Sequence, residues 1–223
     1  MRRAIVKCSG GGTRASVDAA LVLDEIVGLV AAIDDAEAEV FVVEASSFRL
    51  GHARSVHLGP SAWLNFAPDH LDVHADLASY EAAKARIWES IDDPADAIAN
   101  LSDPVVRSHA PEGATGFGTD IAECRVEGGV LLLGDDAIIT VDEISRRMPH
   151  DLLNAQAATA LAIRVGASPE GCAEVLRCFN GLPHRMQFLG EVGGVRFVDD
   201  SKATTPHATL SAVSALPGAV LIA

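Results

Sequence analysis

The apolar rhythm of the chain changes several times. RAIVKCS (3–9) is a short apolar run closed by Gly10, Gly11 and Gly12, which predicts a buried strand and a loop. SVDAALVLDEIVGLVAAID (16–34) spaces its apolar residues three and four apart, the period of an amphipathic helix. EVFVVEASS (39–47) is a β-branched run ending at Glu44 and two serines, and SAWLNF (61–66) is another short apolar run; both predict strands. SYEAAKARIWESI (79–91) predicts a helix with Ser79 as N-cap.

Between 112 and 142 the character shifts. ATGFG, IAECRVEG, VLLLG and AIITV are short strands parted by glycines and acidic turns, the pattern of an antiparallel insertion. Two helices are predicted next: LLNAQAATALAIRVG, closed by Gly166, and SPEGCAEVLRCF, with Ser168 as N-cap and Pro169 in the first helical position. FLGEVGGVRFV reads as a hairpin turning at Gly193-Gly194. A helix after DDSKATTPHATL and a strand, GAVLIA, complete the pattern.

Strands alternating with helices predict an α/β fold: a doubly wound, mostly parallel sheet with a small antiparallel insertion. Ligands of such sheets bind beyond the carboxyl ends of the strands. Glu44, Ser46, Ser47 and Asn65 fall at predicted strand ends, and the loop DHLDVH (69–74) follows directly, so several polar groups are expected around one crevice.

Composition narrows the function. Hydrophobic residues make up 49% of the 223, enough for a large core, while aromatics are only 4%, so Ala, Val, Leu and Ile must fill it. A formal charge of −14 argues against a nucleic-acid partner, whose phosphates need clustered Lys and Arg. No apolar run approaches the roughly 18–20 residues of a membrane span, and the apolar stretch after MRR is too short for a signal peptide. Cys8, Cys124, Cys172 and Cys178 lack CxxC spacing and read as buried or idle thiols of a reducing cytoplasm, not as a disulfide frame or a zinc site.

The motifs each admit two readings. SGGGT after the first run is a tight turn or, with less support, a phosphate loop, since it lacks the Gly-Lys-Ser/Thr ending. Glu44 caps a neighbouring helix or holds a hard cation such as Mg²⁺. DHLDVH is a solvated loop or a metal site, the latter equally suited to a metal-dependent hydrolase. Lys84 either faces solvent, paired with Glu81 or Glu89, or faces the crevice. In the second case desolvation lowers its pKa, and the neutral amine can take up CO₂ to become a carbamate. GLPHR and DDSKAT are mixed-charge surface loops or phosphate-binding ones, with Arg185 as a bidentate fork, Lys202 as a point charge and Asp200 for a ribose hydroxyl.

Four strings in this order, VVEASSFRL, LNFAPDHLDVHADLASYEAAKARI, FNGLPHRMQFL and VRFVDDSKATTPHAT, resemble the Mur ligase family over nearly the whole chain. SSF after Glu44 and LPHR favour its D-glutamate-adding member. The resemblance implies an ATP-dependent amide ligase that joins D-glutamate to UDP-MurNAc-L-alanine through an acyl phosphate, in the cytoplasm, for peptidoglycan. It implies Mg²⁺ on Glu44 and His70, with Lys84 carbamylated beside them, and places Glu44, His70, Lys84 and Lys202 in the catalytic group. Ser46 and Asn65 would lie along the muramoyl substrate. Asn154 would meet adenine. Arg185, Asp200 and Lys202 would serve the nucleotide and the acyl phosphate, with His184 and Thr204 near substrate.

The family's Gly-Asn-x-Gly turn is SGGGT here, SSFQ is SSFR with Arg49, the HN pair is His150-Asp151, and NDSKATN is DDSKATT with Asp199 and Thr205. No GTxGKT-type phosphate loop is seen in residues 1–43. The resemblance therefore predicts most of a central ATPase domain over 1–179 and the start of a Rossmann-like C-terminal domain over 180–223, a piece expected not to turn over alone. A nucleotide-binding remnant without catalysis is the alternative.

Overall fold

The computed structural model describes residues 40, 42–52, 59–69 and 71–222. The expected elements over 3–34, the SGGGT turn and His70 lie outside these residues.

A six-stranded sheet forms the body, in the order β1 (Ser61–Trp63), β2 (Ala97–Asn100), β3 (Thr115–Phe117), β4 (Cys124–Glu127), β5 (Val130–Leu133) and β6 (Asp136–Thr140). β1 to β4 pair in parallel; β4–β5 and β5–β6 are antiparallel. Both faces of the sheet are covered. In β2, Ile98 points into one core with Phe117, Leu131 and Ala160, while Ala97 and Ala99 point into the other with Trp63, Trp88 and Val106. The period-two alternation of a pleated strand thus feeds two cores at once.

Among the described residues the helices of this body are α1 (Ser47–His52), α2 (Leu77–Ala85), α3 (Pro104–His109) and α4 (Pro149–Arg164), with α5 (Pro169–Cys178) packed beside α4. α4 ends as the sequence predicts. Gly166 takes φ +99°, its N–H reaches the Ile163 carbonyl at 2.9 Å, and the Ala167 N–H reaches that of Ala162 at 2.9 Å. Ser168 and Pro169 open α5 as expected. A second, two-stranded sheet holds β7 (Gln187–Val192) and β8 (Val195–Asp199), turned by Gly193 (φ +59°) and Gly194 (φ +78°), the left-handed pair that a two-residue hairpin turn requires. α6 (Pro206–Ala215) follows, with Thr205 as its N-cap.

Several expectations need correction. Residues 42–46 form neither helix nor strand, and GAVLIA is not a strand over 218–222. A β-branched run shows only that a segment suits a pleat; a strand exists through its ladder, and no described strand pairs with either segment. The N-cap of α2 is Asp76. Its carboxylate accepts the Ser79 N–H at 2.7 Å, and the Ser79 hydroxyl accepts the Asp76 N–H at 3.2 Å, so Ser79 is the inner half of a capping box. ATGFG (β3) is a parallel strand of the main sheet; the antiparallel part begins at β4. β2 and α3, between 92 and 111, carry too few apolar positions to show a period. Cys124 and Cys172 are buried free thiols, as expected. No helix of the described residues is long and apolar enough to cross a membrane.

Candidate functional site

The carboxyl ends of β1–β3 are framed by side chains that bond to backbone. Asn100 is buried at the end of β2. Its amide donates to the Leu64 carbonyl at 2.7 Å, and its Oδ1 accepts from the Ser102 N–H at 3.0 Å and the Ser102 hydroxyl at 2.6 Å. Asp103 caps α3 by accepting from Val105 N–H (2.9 Å) and Val106 N–H (3.1 Å) on one oxygen, and takes the Phe66 N–H at 2.7 Å on the other. Gly118, at the end of β3, has φ +88°, and an added Cβ would stand 2.4 Å from Asn100 Oδ1. Sequence reasoning missed these framing residues. The Asp103-Pro104 pair, an N-cap before a first-turn proline, is the signal that would have found one of them.

Lys84 is partly buried on α2. Both carboxylates of the solvent-facing alternative are engaged elsewhere: Glu81 with His109 at 2.7 Å and Glu89 with Arg86 at 2.8 Å. Lys84 instead sets its ammonium 5.4 Å from the ring centre of the buried Tyr80. Burial lowers its pKa, opposed by the charges of Asp69 and then Glu44. Asp69 also helps to raise the Tyr80 phenol, although burial contributes more. Asp69 and Glu44 thus both act on one half-buried lysine.

A chain of contacts fixes this corner. Ser46 caps α1, accepting the Arg49 N–H at 3.4 Å. Ser47 Oγ lies 2.9 Å from His74 Nε2. The His74 ring stacks on Phe48 at 5.4 Å and meets Tyr80 at 5.2 Å. Arg86 donates to the Leu50 carbonyl at 2.6 Å and the Gly51 carbonyl at 2.9 Å, a cation at the C-terminus of α1. Asn65 is exposed, and its carbonyl accepts the Trp63 indole N–H at 2.9 Å.

The Lys84 setting gives a checkable result. Because burial outweighs the two acids, the fold disfavours the ammonium. This penalty is present below the lowered folded pKa and vanishes above the unfolded value of 10.5. Lys84→Met is expected to raise unfolding stability by about 0.5 kcal/mol in urea melts at neutral pH, a figure reduced for partial solvent screening.

Metal chemistry is consistent with these groups. Among the described residues no three His, Cys, Asp or Glu side chains converge on one point. Mg²⁺, however, keeps most of its waters and asks for one or two carboxylates, and Glu44 and Asp69 are hard oxygen donors that both act on Lys84.

The remaining candidates form a second group. The 181–186 and 199–204 loops lie against each other. The His184 N–H donates to Gln187 Oε1 at 3.0 Å, its carbonyl accepts the Lys202 N–H at 3.2 Å, and its Nδ1 lies 2.7 Å from Asp199 Oδ2. Asp200 Oδ1 accepts the Met186 N–H at 3.0 Å, which occupies one of its oxygens. Arg185, Lys202 and Thr204 are exposed on these loops. Asn154 is exposed on α4, two residues before Gln156, whose Oε1 accepts the Gly118 N–H at 3.0 Å. α4 therefore connects the strand-end rim to the Asn154 surface.

Residues 20–125 match the Mur ligase middle domain. The chain is 38% identical over 197 residues to the UDP-N-acetylmuramoylalanine–D-glutamate ligase of Methylococcus capsulatus, covering 84% of this chain and 42% of that protein. It is 40% identical over 190 residues to the ligase of the same name from Chromohalobacter salexigens, covering 81% and 41%. The chain thus spans about two fifths of the length of the curated relatives it matches. Among solved structures, MurF from Acinetobacter baumannii superposes with a TM-score of 0.60 at 18% identity, over 79% of this chain and 41% of that one, a likeness of fold. Residues 20–125 are thus similar to a Mur ligase middle domain, and most of the chain is similar to part of the UDP-N-acetylmuramoylalanine–D-glutamate ligases.

Proposed function

We propose that this chain supplies the central part of a MurD-type ligase, which uses ATP to join D-glutamate to UDP-MurNAc-L-alanine in peptidoglycan precursor synthesis in the cytoplasm. Residues 1–179 would belong to the central domain and 180–223 to the start of the C-terminal domain. The supporting observation is the setting of Lys84: half buried, turned from Glu81 and Glu89, and under the charges of Asp69 and Glu44.

In this reading the substrate carboxylate takes the γ-phosphoryl group of ATP, and the amine of D-glutamate displaces phosphate from the acyl phosphate. Glu44 and His70 would hold Mg²⁺, which would supply charge compensation for the transferred phosphoryl group. Lys84 would enter the site as a carbamate, because a desolvated amine reacts with CO₂ more readily than an ammonium does. Ser46 and Asn65 would line the muramoyl substrate, with His184 and Thr204 nearby. Asn154 would hydrogen-bond adenine. Arg185 and Lys202 would neutralise phosphate, and Asp200 would keep one oxygen for a ribose hydroxyl while the other holds Met186.

The test is calorimetric titration of the 223-residue chain with ATP and Mg²⁺. Lys202→Ala is expected to weaken ATP about tenfold, the equivalent of roughly 1.4 kcal/mol for one charge-assisted contact. Equal affinities would remove the DSKAT loop from the nucleotide site, and absence of binding to the native chain would remove the nucleotide role.

A further inference from the structure

His184 is held unusually completely for an exposed residue. Its backbone sits at φ +62°, and Met186 two residues on at φ +48°, a region that costs a non-glycine residue about 1 kcal/mol or more. Its N–H and carbonyl are both engaged, by Gln187 and Lys202. The ring is fixed by Asp199 Oδ2 at 2.7 Å from Nδ1, while the other oxygen of Asp199 accepts the Ser201 N–H at 2.9 Å. The imidazole side chain is 56% exposed, and Nε2 makes no hydrogen bond among the described residues.

We propose that Asp199 is a positioning residue that fixes the ring hydrogen of His184 on Nδ1 and presents Nε2 outward as an acceptor. The inference rests on the ligase reading and adds a division of labour to it. An ionised carboxylate only accepts hydrogen bonds, so the ring nitrogen facing it must carry the hydrogen. The outward Nε2 then has a lone pair. A lone pair suits an N–H donor such as the ammonium of an incoming amino acid; it repels a phosphate oxygen. Transfer of one ammonium proton to Nε2 breaks an N–H bond there, forms one on the ring, and leaves a neutral amine beside an imidazolium that Asp199 balances. His184 therefore serves the amine, while Arg185 and Lys202 serve the phosphates. An asparagine at 199, the residue of the related NDSKATN pattern, does the opposite. Its Oδ1 keeps the Ser201 N–H, and its NH₂ faces Nδ1 as a donor, which drives the ring hydrogen to Nε2.

The experiment is long-range ¹H–¹⁵N correlation on the full 223-residue chain with ¹⁵N-histidine, at a pH where the ring is neutral. The native chain is expected to show hydrogen on Nδ1, and Asp199→Asn to invert the pattern while the Ser201 amide signal stays in place. Hydrogen on Nε2 in the native chain, or no inversion in the variant, overturns the proposal. Titration with D-glutamate should shift native Nε2, and inorganic phosphate should not; a phosphate response, or silence toward D-glutamate, overturns the assignment to the amine. ATP binding to the native chain is read separately by calorimetry. Its absence would sink the ligase reading without touching the tautomer result.

Discussion

Trp63→Ala is expected to lower the unfolding free energy by about 3–5 kcal/mol, the range for truncating a large buried aromatic. Trp63 is 4% exposed at the end of β1. Its ring meets Trp88 at 5.7 Å, Phe66 at 6.2 Å and His109 at 5.5 Å, so three separate segments lose a shared wall. In a chain whose aromatics are only 4% of residues, the small side chains around it (Ala97, Ala99, Val106) cannot reach in to fill the void. The indole N–H also ties the Asn65 carbonyl. Urea unfolding followed by far-UV circular dichroism measures the loss; a change below 1 kcal/mol would mean that the Trp63 cluster collapses around the gap. Trp63→Phe keeps most of the packing and should lose markedly less.

The second large effect is Asp103→Ala, with an expected loss of about 3 kcal/mol. One carboxylate serves three backbone donors, two opening α3 and one, Phe66 N–H, in the loop after β1. Loss of an N-cap costs about 1–2 kcal/mol, and a charge-assisted bond to a part-buried amide adds about 1.5. Asp103→Asn separates these contributions. Its Oδ1 still caps α3, but its NH₂ cannot accept from Phe66, so a loss of about 1.5 kcal/mol is expected. Equal losses in both variants would show that the cap contributes little.

Much of this was legible in the sequence. The helix end at Gly166, the Ser168-Pro169 start and the Gly193-Gly194 turn are local events set by backbone conformation and capping, and each matched. Pairing was harder to read. ATGFG looks like its antiparallel neighbours, but its partners lie across a crossover through α3, which a four-residue strand and a six-residue helix barely announce. The orientation of Lys84 was also out of reach, since spacing offered Glu81 and Glu89 as partners. The matter is decided by where His109 and Arg86 arrive in three dimensions. The tautomeric partner of His184 is 15 residues away, joined to it only by the hairpin.

The strand-end rim bears on how a ligand would be met. Asn100, Asp103 and Gly118 each lock backbone to backbone through a side chain or its absence. Those residues lose their conformational freedom when the sheet forms. A molecule arriving at the rim therefore has little main chain left to order, and its entropic penalty falls on its own bonds and on the loops around it. Selectivity along this edge would then change through side chains mounted on a stiff frame, with the frame itself held constant.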